Sequence, residues 1–137
     1  MKRILIPINF TEKSKLNTDF VINWIKDIPS AYDICLVHGF LVNETNPAYA
    51  LVQNDQMKKE SLMLLDHECK RIKDNCQNSM ISFKTYSQMG SIENIIGYIL
   101  DSEHIDLVVL GKDSDAHTEA IMKILVLEGC PVLLNFT

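Results

Sequence analysis

The chain has 137 residues, 47% of them apolar, and carries a formal charge of −5 from 13 basic and 18 acidic side chains. That is enough for one domain with one core over residues 1–137 and too little for two. Its basic residues are scattered rather than gathered into the stripe that nucleic-acid phosphates require. No apolar run approaches the ~20 residues of a membrane span or the core of a signal peptide. No nucleic-acid or membrane partner is therefore expected, and the predicted location is cytoplasmic.

The apolar period alternates along the chain. A β-rich run at Arg3–Ile8 is followed by Leu16, Phe20, Trp24 and Ile28, spaced by four and widened by Val21 and Ile25, which predicts a helix burying that stripe. A second run at Asp33–His38 leads into Gly39–Asn54, predicted to be a mobile loop because it holds Asn43, Asn46 and Pro47. Leu62, Leu65, Cys69, Ile72 and Cys76 then mark a second helix. Runs at Met80–Ser87, Asp106–Leu110 and Pro131–Phe136 enclose two further stripes: Ile92, Ile95, Ile96, Ile99 and Leu100, then Ile121, Ile124, Leu125 and Glu128.

Most of the β runs are too continuously apolar for half-solvated strands, so they predict parallel strands covered on both faces. Strand and helix in alternation give an α/β fold, a doubly wound five-stranded parallel sheet with helices on both faces. Thr11, Ser91 and either Asp115 or Thr118 are expected as helix caps. The four cysteines (Cys35, Cys69, Cys76, Cys130) lack Cys-x-x-Cys spacing and sit in apolar patterns, which predicts reduced, packed thiols.

Several enzyme classes lack their residues here. A phosphoacceptor receiver domain needs acids where Asn9 and Gln88 stand. A flavodoxin needs a glycine- and hydroxyl-rich loop where Asn9-Phe10-Thr11-Glu12-Lys13 stands. Neither a P-loop nor a nucleophile elbow is present, so the chain is not expected to be an enzyme.

Three segments, in order, resemble the universal stress protein family. Ile4-Leu5-Ile6-Pro7-Ile8-Asn9-Phe10-Thr11-Glu12-Lys13-Ser14 is similar to that family's "ILVPVDFSE-S" start, and Leu36-Val37-His38 to its "LLHV". Asp106-Leu107-Val108-Val109-Leu110-Gly111, with Gly129-Cys130-Pro131-Val132-Leu133-Leu134, is similar to "DLIVMG … CPVLVV". The resemblance implies an adenine nucleotide alpha hydrolase-like sheet of order 3-2-1-4-5, with a crevice at the carboxyl ends of strands one and four.

ATP-binding members of that family use an aspartate after strand one and a G-x2-G-x9-G-[ST] loop after strand four, whose glycines let amides reach the phosphates. Here the pattern begins at Gly111, but its later positions fall on Ser114, Ile124 and Leu125, and the aspartate is Asn9. Asn9 is read first as a turn cap. His38 is read as a polar strand end, Lys112 as a solvated lysine, and Tyr49 and Met57 as packing residues.

Loss of ATP binding is therefore expected, with no cofactor. The first functional reading is a dimeric stress-response protein that binds an unidentified protein partner. The second is a sensor of a nucleotide or small ligand, using a degenerate crevice centred on Asn9, Gly39, Gly111 and Thr118. A homodimer is expected through strand five (Val132, Leu133, Leu134), an apolar edge without the usual lysine or bulge.

Overall fold

A computed structural model describes residues 2–111 and 116–135. Among them β1 (Lys2–Pro7), β2 (Tyr32–Phe40), β3 (Ile81–Met89), β4 (Leu107–Gly111) and β5 (Val132–Asn135) alternate with helices α1 (Glu12–Ile25), α2 (Pro47–Asn75), α3 (Ile92–Ser102) and α4 (Ala116–Glu128). The strands form one parallel sheet of order β3-β2-β1-β4-β5, as the resemblance implied.

Because successive strand residues point to opposite faces, the run Ile4-Leu5-Ile6 feeds two cores. Ile4 and Ile6 meet Val21, Ile22 and Ile25 of α1 and Leu65 and Ile72 of α2. Leu5, with Cys35, Val37 and Val108, meets Ile95, Ile96 and Ile99 of α3 and Ile121 and Leu125 of α4. Continuous apolar strands are thus explained by helices on both sides. The edge strand β3 departs from that rule, since Lys84 and Gln88 lie on it and only two of its nine residues, Ile81 and Ser87, are buried.

Two expectations are corrected. The predicted stripe of α1 is buried only along its widened edge, at Val21 and Ile25, while Leu16 is 60% exposed and Trp24 47%. The helix instead turns Ser14, Asn17, Thr18, Val21, Ile22 and Ile25 to the sheet. Thr18 can be buried there because its hydroxyl donates to the carbonyl of Ser14 at 3.1 Å, which satisfies the polar group that burial would otherwise strand.

The segment Gly39–Asn54 is not one long loop either. β2 continues through Phe40 and α2 begins at Pro47, leaving only residues 41–46 irregular. Asn46 caps α2 by accepting from the Ala48 amide at 3.0 Å, so Asn46-Pro47 is a helix start, with proline at the first position where its missing N–H costs nothing. Gln53 Oε1 accepts from the amides of Asn43 and Glu44 at 3.1 and 3.2 Å and ties the short loop to the helix.

With 29 residues, α2 is about 44 Å long at 1.5 Å per residue. It therefore outruns the nine-residue strands β2 and β3, each about 30 Å long. Its buried residues are Ser61, Leu65, Glu68 and Ile72, all in the second half.

Thr11 caps α1 as expected, accepting from the Ser14 amide at 3.2 Å. Ser91 occupies the cap position of α3 but makes no capping bond, and Asp115 lies outside the described residues. Thr118 lies within α4. All four cysteines are free. Burial, reinforced by Asp33 and Glu103, pushes the Cys35 thiol up to about 12, and burial also raises Cys69 and Cys130. Three thiols held neutral in this way are poor nucleophiles.

Candidate functional site: the crevice at the strand reversal

The chain winds one way from β1 to β2 and the other way from β1 to β4, so no helix covers the carboxyl ends of these strands at the reversal. A cavity of about 500 Å³ opens there. Its walls are apolar at Ile8, Leu41, Ile92, Leu110 and Ile121, and Lys13 is the one charged side chain among its described lining residues.

The turn from β1 into α1 forms one side. Asn9 Oδ1 accepts from the Thr11 amide at 3.1 Å and from the Thr11 hydroxyl at 2.7 Å, while the Asn9 amide donates to Ser14 Oγ at 3.2 Å. Asn9 therefore does the turn-capping work expected of it. The turn holds Phe10 at φ +64°, a left-handed conformation that costs roughly 1–2 kcal/mol for a residue with a side chain. The Phe10 ring lies 4.6 Å from that of His38, so Phe10 roofs the histidine.

His38 is anchored from beneath. Its Nδ1 lies 2.6 Å from Ser61 Oγ of α2, and Ser87 Oγ of β3 donates to Ser61 Oγ at 2.7 Å. Having accepted from Ser87, Ser61 turns its own proton to Nδ1, which leaves the histidine proton on Nε2. Burial lowers the pKa of His38, so the ring is neutral at neutral pH.

A depressed histidine pKa means that the unfolded chain takes up the proton first. The His38 contribution to stability is complete above pH ~6.5 and is lost as pH falls from there through the folded-state value. Urea unfolding of the wild type and of His38→Gln across that range should show a steeper acid loss in the wild type. Parallel curves would remove His38 as the cause.

Two glycines on the crevice sit close against their neighbours. A Cβ on Gly39 would stand 2.8 Å from Ile95 Cδ1 and 3.0 Å from the Gly90 carbonyl, and one on Gly111 would stand 3.3 Å from Asn17. The structure thus brings Asn9, Gly39 and Gly111 to the crevice, whereas Thr118 is not among its described lining residues. The Thr118 hydroxyl is buried without a hydrogen-bond partner.

Sequence reasoning missed Lys13, Asn17, Gly90 and Ser91, which also line the crevice. Gly90-Ser91 follows β3 as Gly39 follows His38 in β2, a parallel that would have pointed to it. Lys13 and Asn17 are four apart on α1 and so share a face, but only the true rotation of that helix turns this face inward. Among the described residues no cluster of histidine, cysteine or carboxylate could hold a metal ion, and no helix is long and apolar enough to cross a membrane.

No family model matches the sequence, and neither does any curated protein. Solved structures do match its fold. The universal stress protein UspA from Lactobacillus plantarum is 19% identical with a TM-score of 0.72, over 98% of this chain and 97% of that one. The fold is that of the universal stress proteins. A family protein from Arabidopsis thaliana with AMP bound matches at 14% identity and a TM-score of 0.64, over 98% of this chain and 91% of that one. A universal stress protein in complex with cAMP matches at 12% identity and 0.63, over 97% and 94% of the two chains.

Within this stress-protein fold, the positions that would carry the triphosphate motif have other work. Leu125 is buried between α4 and the sheet. Ile124 packs over Gly97, whose Cβ, if present, would meet it at 3.7 Å. Ser114, the remaining position, lies outside the described residues.

Proposed function

We propose that the chain is a universal stress protein that has lost ATP binding and works as a non-enzymatic, ligand-responsive homodimer in a stress response. The carrying observation is the combination of an open cavity of about 500 Å³ at the strand reversal with core residues at the motif positions, Leu125 being 1% exposed. The room for a nucleoside is kept and the machinery for a triphosphate is not. Of the two functional readings of the sequence, this favours the sensor for the crevice, with a protein partner as the reader of the occupied state.

The ligand is of nucleoside monophosphate size. The matching structures with AMP and cAMP support that class, and so does the single described cation of the lining, Lys13. By sequence, the segment after β4 carries Asp113 and Asp115 and no glycine, an acidic composition that does not suit a loop for further phosphates.

Calorimetry should show AMP binding and ATP with magnesium weaker than about 1 mM, the affinity worth only ~4 kcal/mol. Micromolar ATP binding would remove the claimed loss. Absence of AMP binding would return the chain to the partner-binding reading.

The dimer part rests on β5, which among the described residues ends the sheet with no strand beyond it. Leu134 of β5 and Val126 and Leu127 of the adjoining α4 are exposed. A bare apolar edge is a template for a second chain unless something blocks it, and a two-fold axis makes that pairing self-complementary.

A further inference from the structure

We infer that Asn17 is a recognition residue of the crevice, its amide N–H groups presented to a ligand phosphate by Asn135 of the edge strand. The inference rests on the proposed ligand-binding reading. Asn17 and Asn135 are 4% and 7% exposed, and Asn135 Nδ2 donates to Asn17 Oδ1 at 3.1 Å across 118 positions of sequence. A core built only for stability would place apolar residues at this junction of α1 and β5, because one neutral hydrogen bond returns little more than the desolvation of the two amides costs.

The pair has a directional consequence. Once Asn17 Oδ1 is committed to Asn135, the planar amide has one orientation, and its Nδ2 lies on the Gly111 side. A Cβ on Gly111 would stand 3.6 Å from Nδ2 and 3.3 Å from Cγ, so the missing side chain leaves the amide open to the cavity that both residues line. What faces the ligand is then a donor and not an acceptor. Lys13, one turn earlier on the same face of α1, adds a positive charge at the same wall. Donor and cation side by side select an anionic oxygen, here the phosphate of a nucleoside monophosphate.

Titration calorimetry with AMP and with adenosine, on the wild type, Asn135→Asp and Asn17→Ala, tests this. An aspartate at 135 only accepts, so Asn17 must turn its Nδ2 away to meet it and show Oδ1 to the ligand. Both variants should bind AMP about tenfold more weakly and leave adenosine within about twofold, with thermal melts confirming that they fold. If Asn135→Asp does not fold, Asn17→Ala decides alone, since alanine suits a helix.

AMP bound as tightly by a folded Asn17→Ala as by the wild type overturns the inference. An equal loss for adenosine also overturns it, because Asn17 would then be structural. A wild type that binds neither ligand overturns the reading of the crevice itself, and the inference with it.

Discussion

Replacing Leu125 by serine, alone or with Ile124→Gly, should leave the protein largely unfolded rather than restore a triphosphate site. Those two changes would write the family's Gly-Ser back at its expected spacing from Gly111. Leu125 is 1% exposed and packs with Leu5, Ile96 and Val108 on one face of the sheet. Removing such a side chain costs about 2–5 kcal/mol. A buried hydroxyl without a partner adds roughly 1–3 kcal/mol, and glycine inside a helix about 1 kcal/mol more.

The total approaches the ~5–15 kcal/mol by which a domain of this kind is stable. Urea unfolding followed by circular dichroism would measure the loss, and calorimetry with ATP would look for a gain. A double variant as stable as the wild type and binding ATP at micromolar concentration would show that the motif was displaced, not lost.

The second large effect separates two neighbouring prolines in β5. The Val108 amide donates to the Pro131 carbonyl at 3.0 Å, and Val108 stands opposite Val132 in a parallel register. In a parallel ladder this directs the Leu133 amide to β4 and the amides of Val132 and Leu134 outward. Leu133→Pro should therefore remove a bond that holds β5 to the sheet and lower stability by roughly 1–3 kcal/mol.

Leu134→Pro removes only an outward donor, which an edge strand tolerates. It should fold normally and run as a monomer in light scattering, whereas the unaltered protein is expected to run as a dimer. A folded Leu134→Pro that remains dimeric would place the interface elsewhere, and a monomeric wild type would remove it.

How much of this was legible beforehand differs from element to element. The strand runs could be read because residues such as Ile4, Leu5 and Ile6 are apolar on both faces, a pattern that only a sheet covered on both sides requires. The rotation of α3 was legible because Ile95, Ile96 and Ile99 form its one dense apolar stripe and are its buried residues.

The rotation of α1 was not, because its largest apolar side chains are not the ones it buries. Phe20 and Trp24 are 38% and 47% exposed while Asn17 and Thr18 lie inside. Their burial depends on hydrogen-bond partners, one of which, Asn135, is 118 residues away. The start of α2 was misread for a similar reason: Asn46-Pro47 signals a loop or a helix start equally well, and the side-chain bond to Ala48 chooses between them.

By itself, then, the sequence determined the α/β class, the alternation of elements, the reduced thiols and the misfit of the triphosphate motif. The first three follow from periodicity and local spacing and the last from the family resemblance, and none needs a partner from elsewhere in the chain. Only the tertiary structure decided which face of α1 looks into the crevice, that His38 is anchored through Ser61 to Ser87, and which amide of β5 points outward. Each of these is a contact between residues distant in sequence, whose geometry is set when the helices settle on the sheet.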